Sequence, residues 1–103
     1  MGTVEEIMGL IIAAMEKGLC IDFFYNDFHR VVEPYVLGYS SKGDVLLQGY
    51  QIWGDSLRGK EVGMKLFRVD KIMDPMIEKI TIEIGKEEYD PNWVWMVEVL
   101  KQM

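Results

Sequence analysis

Cysteine, histidine and long apolar runs are scarce in this chain, and each scarcity excludes a class of protein. Cys20 is the single cysteine, so no disulfide can form within the chain, and we expect a reduced cytoplasm as its compartment. His29 is the single histidine, which leaves too few imidazole and thiolate groups for a zinc cluster. No apolar run reaches the roughly 18 residues of a membrane-spanning helix, so no membrane span is expected.

Positive charge is also in short supply. The 103 residues include 11 Lys and Arg against 17 Asp and Glu, for a net charge of −6, which disfavours duplex DNA and membrane surfaces as partners. The deficit is uneven, because seven Lys and Arg outnumber five Asp and Glu between residues 29 and 71. One local cationic pocket in this central segment is therefore compatible with the composition.

The N-terminal residues predict a helix over about residues 4 to 17. Thr3 and Glu6 have the spacing of a capping box, and apolar residues then recur at helical intervals. Lys17 suits the last turn, and Gly18 tolerates the left-handed conformation that ends many helices. Glu5 and Glu6 also occupy the place of the basic residues in a secretory signal, so we do not expect one.

Alternating apolar residues and turn signals predict five strands between residues 19 and 84, in a single domain that spans residues 1 to 103. Their predicted bounds are 19–25, 28–37, 45–51, 64–69 and 76–84, with an exposed loop over 52–63 and a break at Asp74-Pro75. Pro34 predicts a bend, bulge or edge in the second strand, because proline cannot donate to a ladder. Gly49 predicts a sharp bend or a close backbone approach in the third strand.

The tail, residues 90 to 103, fits two patterns. Asp90 and Pro91 suit the first positions of a helix, and apolar residues follow at helical spacing. An alternating, strand-like series also runs through it: Trp93, Trp95, Val97 and Val99. We favour the helix, and because both sides of the tail are apolar we expect it to support self-association.

One helix followed by short, bent strands predicts a mainly β (α+β) fold. Its expected form is a small five-stranded barrel of the Sm-like or Src-homology-3-like type, with the N-terminal helix covering one end and a helical C-terminal tail.

Two segments resemble a known family. The helix-then-strand stretch IIAAMEKGLCIDFFYNDFHRVVEPYVLG is similar to the start of a WYL domain, and KLFRVDKI is similar to that family's closing motif. The resemblance covers roughly residues 7 to 84. The chain departs from the family where Val45-Leu46-Leu47 aligns with the Trp-Tyr-Leu motif, and where Lys71 replaces an arginine. The resemblance implies an Sm-like barrel and a stand-alone relative of the ligand-sensing modules of transcriptional regulators.

The same resemblance implies a nucleotide or single-stranded nucleic acid as ligand, held by aromatic and basic side chains. The candidate ligand-binding residues are Arg30, Arg68, Lys71, Tyr25 and Tyr50. Arg68 shares strand parity with apolar residues, and its guanidinium would bind a planar anion such as a phosphate or carboxylate. The alternative is a scaffold salt bridge from Arg68 to Asp70, Glu33 or Asp22, and for the aromatic residues it is core packing.

Two functional hypotheses follow. The first is a non-enzymatic binding or regulatory module for a nucleotide-like or single-stranded nucleic-acid ligand. The second is an assembly protein whose barrel and Trp-rich tail form a homo-oligomer or dock a partner. We expect no enzymatic activity and no cofactor, because no nucleophile–base pair or metal-ligand set stands out.

Overall fold

The helix α1 spans Val4–Lys17 in the computed structural model, which describes residues 2–56, 59–60, 62–83, 85–90 and 96–103. The Thr3 hydroxyl accepts a hydrogen bond from the Glu6 N–H at 3.2 Å, and the Glu6 carboxylate accepts one from the Thr3 N–H at 2.9 Å. Gly18 ends α1 with φ 68°, in the left-handed region. The predicted helix and both of its caps are therefore confirmed.

The strands follow α1 in chain order, with a 3-10 turn at Val69–Lys71. They are β1 (Leu19–Tyr25), β2 (Phe28–Tyr39), β3 (Val45–Ser56), β4 (Gly59–Lys60), β5 (Gly63–Arg68), β6 (Met73–Thr81) and β7 (Glu98–Gln102).

All the strand pairings described are antiparallel. The order β4-β3-β2-β1-β6 runs across the sheet, with β5 beside β3 and β7 beside β2. The first part of β2 pairs with β1 and its second part with β7, so these two strands share one edge of β2. A mainly β fold with an N-terminal helix is thus confirmed. The pairings among the described strands leave the sheet open, and the closed barrel stays a prediction.

Proline and glycine shape the two longest strands as expected. The β2–β3 register shifts between Pro34 and Val36, so the strand accommodates its proline with a bulge. A Cβ on Gly49 would lie 2.8 Å from the carbonyl oxygen of Glu33. Only glycine therefore allows β2 and β3 to approach this closely.

Two predicted breaks are wrong. The loop expected over residues 52–63 is instead a continuation of β3 to Ser56 and a short return in β4, with Gly54 at φ 122° inside β3. The break expected at Asp74-Pro75 lies within β6, where Asp74 has φ 50° and the β1–β6 register shifts nearby. The strand continues through a local kink at Gly54 in β3 and at Asp74 in β6. The break between β5 and β6 is the 3-10 turn.

The helix predicted for the tail is also wrong in its described part. Residues 98 to 102 form β7, and flanking hydrogen bonds extend the contact from the Val97 N–H to the Tyr39 carbonyl and from the Met103 N–H to the Tyr35 carbonyl. The edge of β2 that β1 leaves free pairs with the tail, and this tertiary pairing outweighs the local helical pattern. Trp93 and Trp95 lie outside the described residues.

The sheet has two faces, and each buries apolar residues differently. The inner face packs against α1, with Ile11, Phe23, Leu47 and Phe67 fully or almost fully buried. The outer face has a second, smaller core that includes Tyr35, Tyr50 and Ile82. The segment after β6, described at residues 82–83 and 85–90, covers part of this outer face.

Candidate functional site

Arg30, the first of the predicted ligand-binding cations, is inside the protein. Its side chain is 4% exposed, and its guanidinium lies over the rings of Tyr25 and Phe67 at 5.2 and 5.7 Å from their centroids. It donates to the Tyr25 carbonyl at 3.1 Å and to the Gln51 side chain at 3.5 Å. Cation–π contacts and hydrogen bonds of this kind hold a buried arginine in place. Arg30 is thus placed as a structural cation of the inner face.

Arg68 lies at the surface in an ion pair. Its side chain is 43% exposed, and it donates to both carboxylate oxygens of Asp70, at 3.2 and 2.8 Å. Asp44 lies 3.5 Å from the same guanidinium. The hydrogen bond from Arg68 to Asp70, with the charge of Asp44, raises the pKa of Arg68. The geometry is the salt bridge to Asp70 that the sequence offered as the alternative to a ligand contact.

The other predicted site residues do not join these arginines in one pocket. The Tyr25 hydroxyl accepts a hydrogen bond from the backbone N–H of Arg68 at 3.0 Å, so Tyr25 contacts both arginines but uses its polar atoms on them. Tyr50 lies in the second core, where a hydrogen bond with Glu88 and burial raise its pKa. Lys71 is exposed at the end of the 3-10 turn.

The outer face contains a buried carboxylate that sequence reasoning assigned only as a salt-bridge alternative. Glu33 is fully buried and accepts hydrogen bonds from the Tyr35 hydroxyl and from the backbone N–H groups of Glu83 and Gly85, at 2.8, 2.7 and 2.7 Å. Burial and this hydrogen bond raise the pKa of Tyr35. Glu33 therefore fastens the segment after β6 to the sheet. We call the surface beneath that segment, with Glu33, Tyr35 and Tyr50, the covered half of the outer face.

The rest of the outer face carries an exposed row of rings. Phe24 stacks on His29 with centroids 5.0 Å apart, and His29 meets the edge of Trp53 at 5.3 Å. Strand pairing explains the row, because Phe24 lies opposite His29 and Trp53 lies opposite Val31 on the same strand as His29. Phe24 is 42% exposed and Trp53 57% exposed. We call these three residues the aromatic row.

Two methionines extend the aromatic row across β6. Met73 pairs with Phe24 and Met76 with Asp22, so both side chains belong to the same face, and both are exposed. We call the aromatic row together with Met73 and Met76 the bare half of the outer face. Contiguous exposed apolar surface of this kind marks interaction sites in soluble proteins.

Two carboxylates lie beside the aromatic row. Asp22 lies 3.3 Å from the Nε2 atom of His29 and is largely buried beneath it. Asp55 lines a groove of about 190 Å³ together with Trp53. The surface is therefore aromatic and apolar, with one carboxylate beneath His29 and one beside Trp53.

Phe24 was missed because the alternation of β1 was interpreted only for its inner face. Leu19, Ile21, Phe23 and Tyr25 are the inward series, and Phe24 has the opposite parity. The outward parity of Phe24 on β1 is the sequence signal that could have identified the aromatic row. Strand pairing places Trp53 on the same face. The pairing register itself requires the structure.

A metal-binding cluster and a reactive thiol are both lacking among the described residues. No group of three or more His, Cys, Asp and Glu side chains within them is placed to hold a metal ion. Burial raises the pKa of the Cys20 thiol to about 12, so it stays protonated and unreactive at neutral pH. No helix in the described part of the chain is long and apolar enough to cross a membrane.

Comparisons with known proteins add no further indication. No protein-family model, no curated protein and no solved structure matches this chain. The resemblance to the WYL domain therefore stays a prediction, and the function has to be argued from the geometry of the chain itself.

Proposed function

We propose that this chain is a non-enzymatic binding module that docks a partner protein on the bare half of its outer face. The observation that carries the proposal is the aromatic row, in which the His29 ring contacts both Phe24 and Trp53 while Trp53 stays 57% exposed. Aromatic and methionine side chains are enriched where proteins bind one another, and tryptophan is frequent among the residues that dominate binding energy.

The charge of the surface favours a partner with basic groups. Asp22 lies beneath His29, Asp55 lines the groove beside Trp53, and the whole chain carries a net charge of −6. A second copy of this chain would bring like charges together, whereas a basic partner would be attracted over a distance of about one Debye length. The expected partner segment therefore combines an apolar or aromatic anchor with Lys or Arg.

Site-specific photo-crosslinking tests this proposal. A benzophenone amino acid at position 53 should give a discrete crosslinked product in cells that express the protein, and a Phe24→Ser change should remove it. The control position is 42, where Lys42 is exposed in the β2–β3 turn at the far end of β2. Equal products at positions 53 and 42, or none at 53, would contradict the proposal. Sedimentation of the purified protein tells whether the product is a dimer.

A nucleotide-like or single-stranded nucleic-acid ligand is the second candidate. The observation in its favour is the aromatic row, since bases stack on exposed aromatic side chains. Lys71 is also exposed, two residues before Met73 of the bare half. Short oligonucleotides and nucleotides with a fluorescent label would be titrated at low and moderate salt while the anisotropy of the label is followed. Salt-sensitive binding that Trp53→Ala abolishes would make this candidate the function in place of partner docking.

Assembly through the tail remains a further proposal, now with β7 as the element involved. Val97, Val99 and Leu100 are exposed there, and β7 lies at an edge of the described sheet. The reduced cytoplasm proposed for this protein accords with Cys20, which is single and fully buried.

A further inference from the structure

The groove beside Trp53 has room for one side chain. It encloses about 190 Å³ and is lined by Ile52, Trp53, Gly54, Asp55 and Val62. Sites for drug-sized ligands are larger, usually about 300–1,000 Å³. The groove adjoins the aromatic row through Trp53, so a partner docked on the bare half could reach it with a single residue.

Strand geometry fixes the walls of this groove. The β2–β3 register shifts beside Trp53, which leaves Ile52 as the extra residue of a bulge. Bulges re-aim side chains, and Ile52 lines the same groove as its neighbour Trp53. Gly54 has φ 122°, and a Cβ there would clash with the carbonyl oxygen of His29. Only glycine therefore fits between Trp53 and Asp55, and the backbone that joins these two residues is held against β2.

The polar groups of the groove select a cation. Asp55 is half-buried, and its side chain makes no hydrogen bond or ion pair within the described residues. Trp53 is 57% exposed, so its indole ring is accessible to a ligand in the groove. A carboxylate attracts a cation by its charge, and an indole ring does so through its π face.

Arginine suits this groove better than lysine. Its guanidinium is planar, can donate two parallel hydrogen bonds to a carboxylate, stacks on aromatic rings and is more weakly hydrated than an ammonium. Ile52 and Val62 offer apolar surface to the methylene groups of its stem. We infer that this groove binds an arginine side chain. That the arginine belongs to the partner protein rests on the docking function proposed above.

Small probes test the selection of arginine. N-acetyl-arginine methylamide should give saturable ¹H–¹⁵N shift changes at Asp55 and Val62 of the full chain. N-acetyl-citrulline methylamide keeps the shape without the charge, and Nα-acetyl-lysine methylamide keeps the charge without the planar group. Each should bind more weakly by about fivefold or more. Absence of saturable binding by the arginine probe, or equal binding by either of the others, would overturn the inference.

Variants test the groups assigned to the groove. Asp55→Asn keeps the size of the side chain and removes its charge, so it should weaken the arginine probe by about threefold or more and leave the citrulline probe unchanged. The control Glu5→Gln makes the same change of net charge on α1, which packs on the inner face, and should alter neither. Lys60 pairs with Asp55 across β3 and β4, so Lys60→Met removes a nearby positive charge and should not weaken the arginine probe. Unchanged binding by Asp55→Asn, or weaker binding by Lys60→Met, would overturn the assignment.

Crosslinking separates this inference from the docking proposal. With the benzophenone amino acid at position 24, Asp55→Asn should lower the yield of crosslinked product, and Glu5→Gln should not. A full yield with Asp55→Asn would overturn the assignment of the arginine to the partner, while docking itself would stand. Binding of the arginine probe with no product from position 24 or 53 would contradict docking and leave the groove as an arginine site.

Discussion

The two halves of the outer face share two strands, yet one half is buried and the other is open. β2 and β3 contribute side chains to both. In the covered half the segment after β6 lies over Tyr35 and Tyr50, and in the bare half the rings of Phe24 and Trp53 face outward. The difference lies in what covers each half, since both are apolar.

The covered half is closed by polar contacts as well as apolar ones. Glu33 accepts two backbone N–H groups of the covering segment, and Tyr89 from that segment stacks on Tyr35 with centroids 4.7 Å apart. A buried carboxylate is stable only when hydrogen bonds replace its lost hydration. The covering segment supplies them, so this half is fixed by the folding of the chain itself.

The bare half has no comparable cover within the described residues. Its polar contact is the Asp22–His29 pair, in which Asp22 is buried beneath His29 and does not cover the rings. The described part of the chain therefore covers one apolar half of the sheet and leaves the other exposed, and exposed apolar surface lowers solubility unless it serves an interaction. The contrast predicts that substitutions in the covered half change stability and substitutions in the bare half change binding.

The largest effect is expected from Glu33→Ala. The change removes the acceptor of three hydrogen bonds and leaves the buried N–H of Gly85 and the part-buried N–H of Glu83 without it, so the free energy of unfolding should fall by about 3 kcal/mol or more. Urea unfolding followed by circular dichroism measures it. Glu33→Gln keeps one acceptor oxygen, so its free energy of unfolding should fall less than that of Glu33→Ala. A loss below about 1 kcal/mol for Glu33→Ala would show that the covering segment is not held by this carboxylate.

A smaller effect in the same half is expected from Gly85→Ala. A Cβ at Gly85 would lie 2.8 Å from the Cδ2 atom of Tyr50, with the Cγ and Cβ atoms of Tyr50 closer still, so the covering segment would have to shift. Overpacking of this kind typically lowers the free energy of unfolding by about 1–3 kcal/mol.

The matched control for Gly85→Ala is Gly9→Ala in α1. A Cβ there meets nothing within 4 Å, and alanine favours a helix over glycine by about 0.5–1 kcal/mol, so this variant should be more stable than the unaltered chain. The same substitution is thus expected to have opposite signs at the two sites. Equal effects would mean that the segment does not press on Tyr50.

Sequence reasoning succeeded where the deciding interactions are local. The bounds of α1 were correct because Thr3, Glu6 and Gly18 act within one turn of the helix ends. Pro34 and Gly49 were interpreted correctly because each residue restricts its own backbone. The tail was predicted as a helix because its pairing with β2 joins residues about 60 positions apart, and nothing local encodes that partner.

The candidate site was less accessible to the same reasoning. The parity of Arg68 on its strand was read correctly, but its partner Asp70 and the burial of Arg30 against two rings depend on how β1, β2 and β5 pack. Charge counts identified a positive central segment, yet Arg30 donates inside the protein and Arg68 donates to a carboxylate. The aromatic row depends on strand register, because Phe24, His29 and Trp53 belong to three different strands.

The smallest effect on stability is expected from Trp53→Ser. A small loss of stability in this variant is the sharpest test of the difference between the covered half and the bare half. Trp53 is 57% exposed and its described ring contact is with His29, so truncation should change the free energy of unfolding by no more than about 0.5–1 kcal/mol. Urea unfolding measures it beside the Glu33 and Gly85 variants. A loss above about 2 kcal/mol would show that the row supports the fold, since an exposed side chain with one ring contact cannot supply that much. If stability is kept while crosslinking from the neighbouring position 24 is lost, the rings of the bare half serve binding and are dispensable for folding.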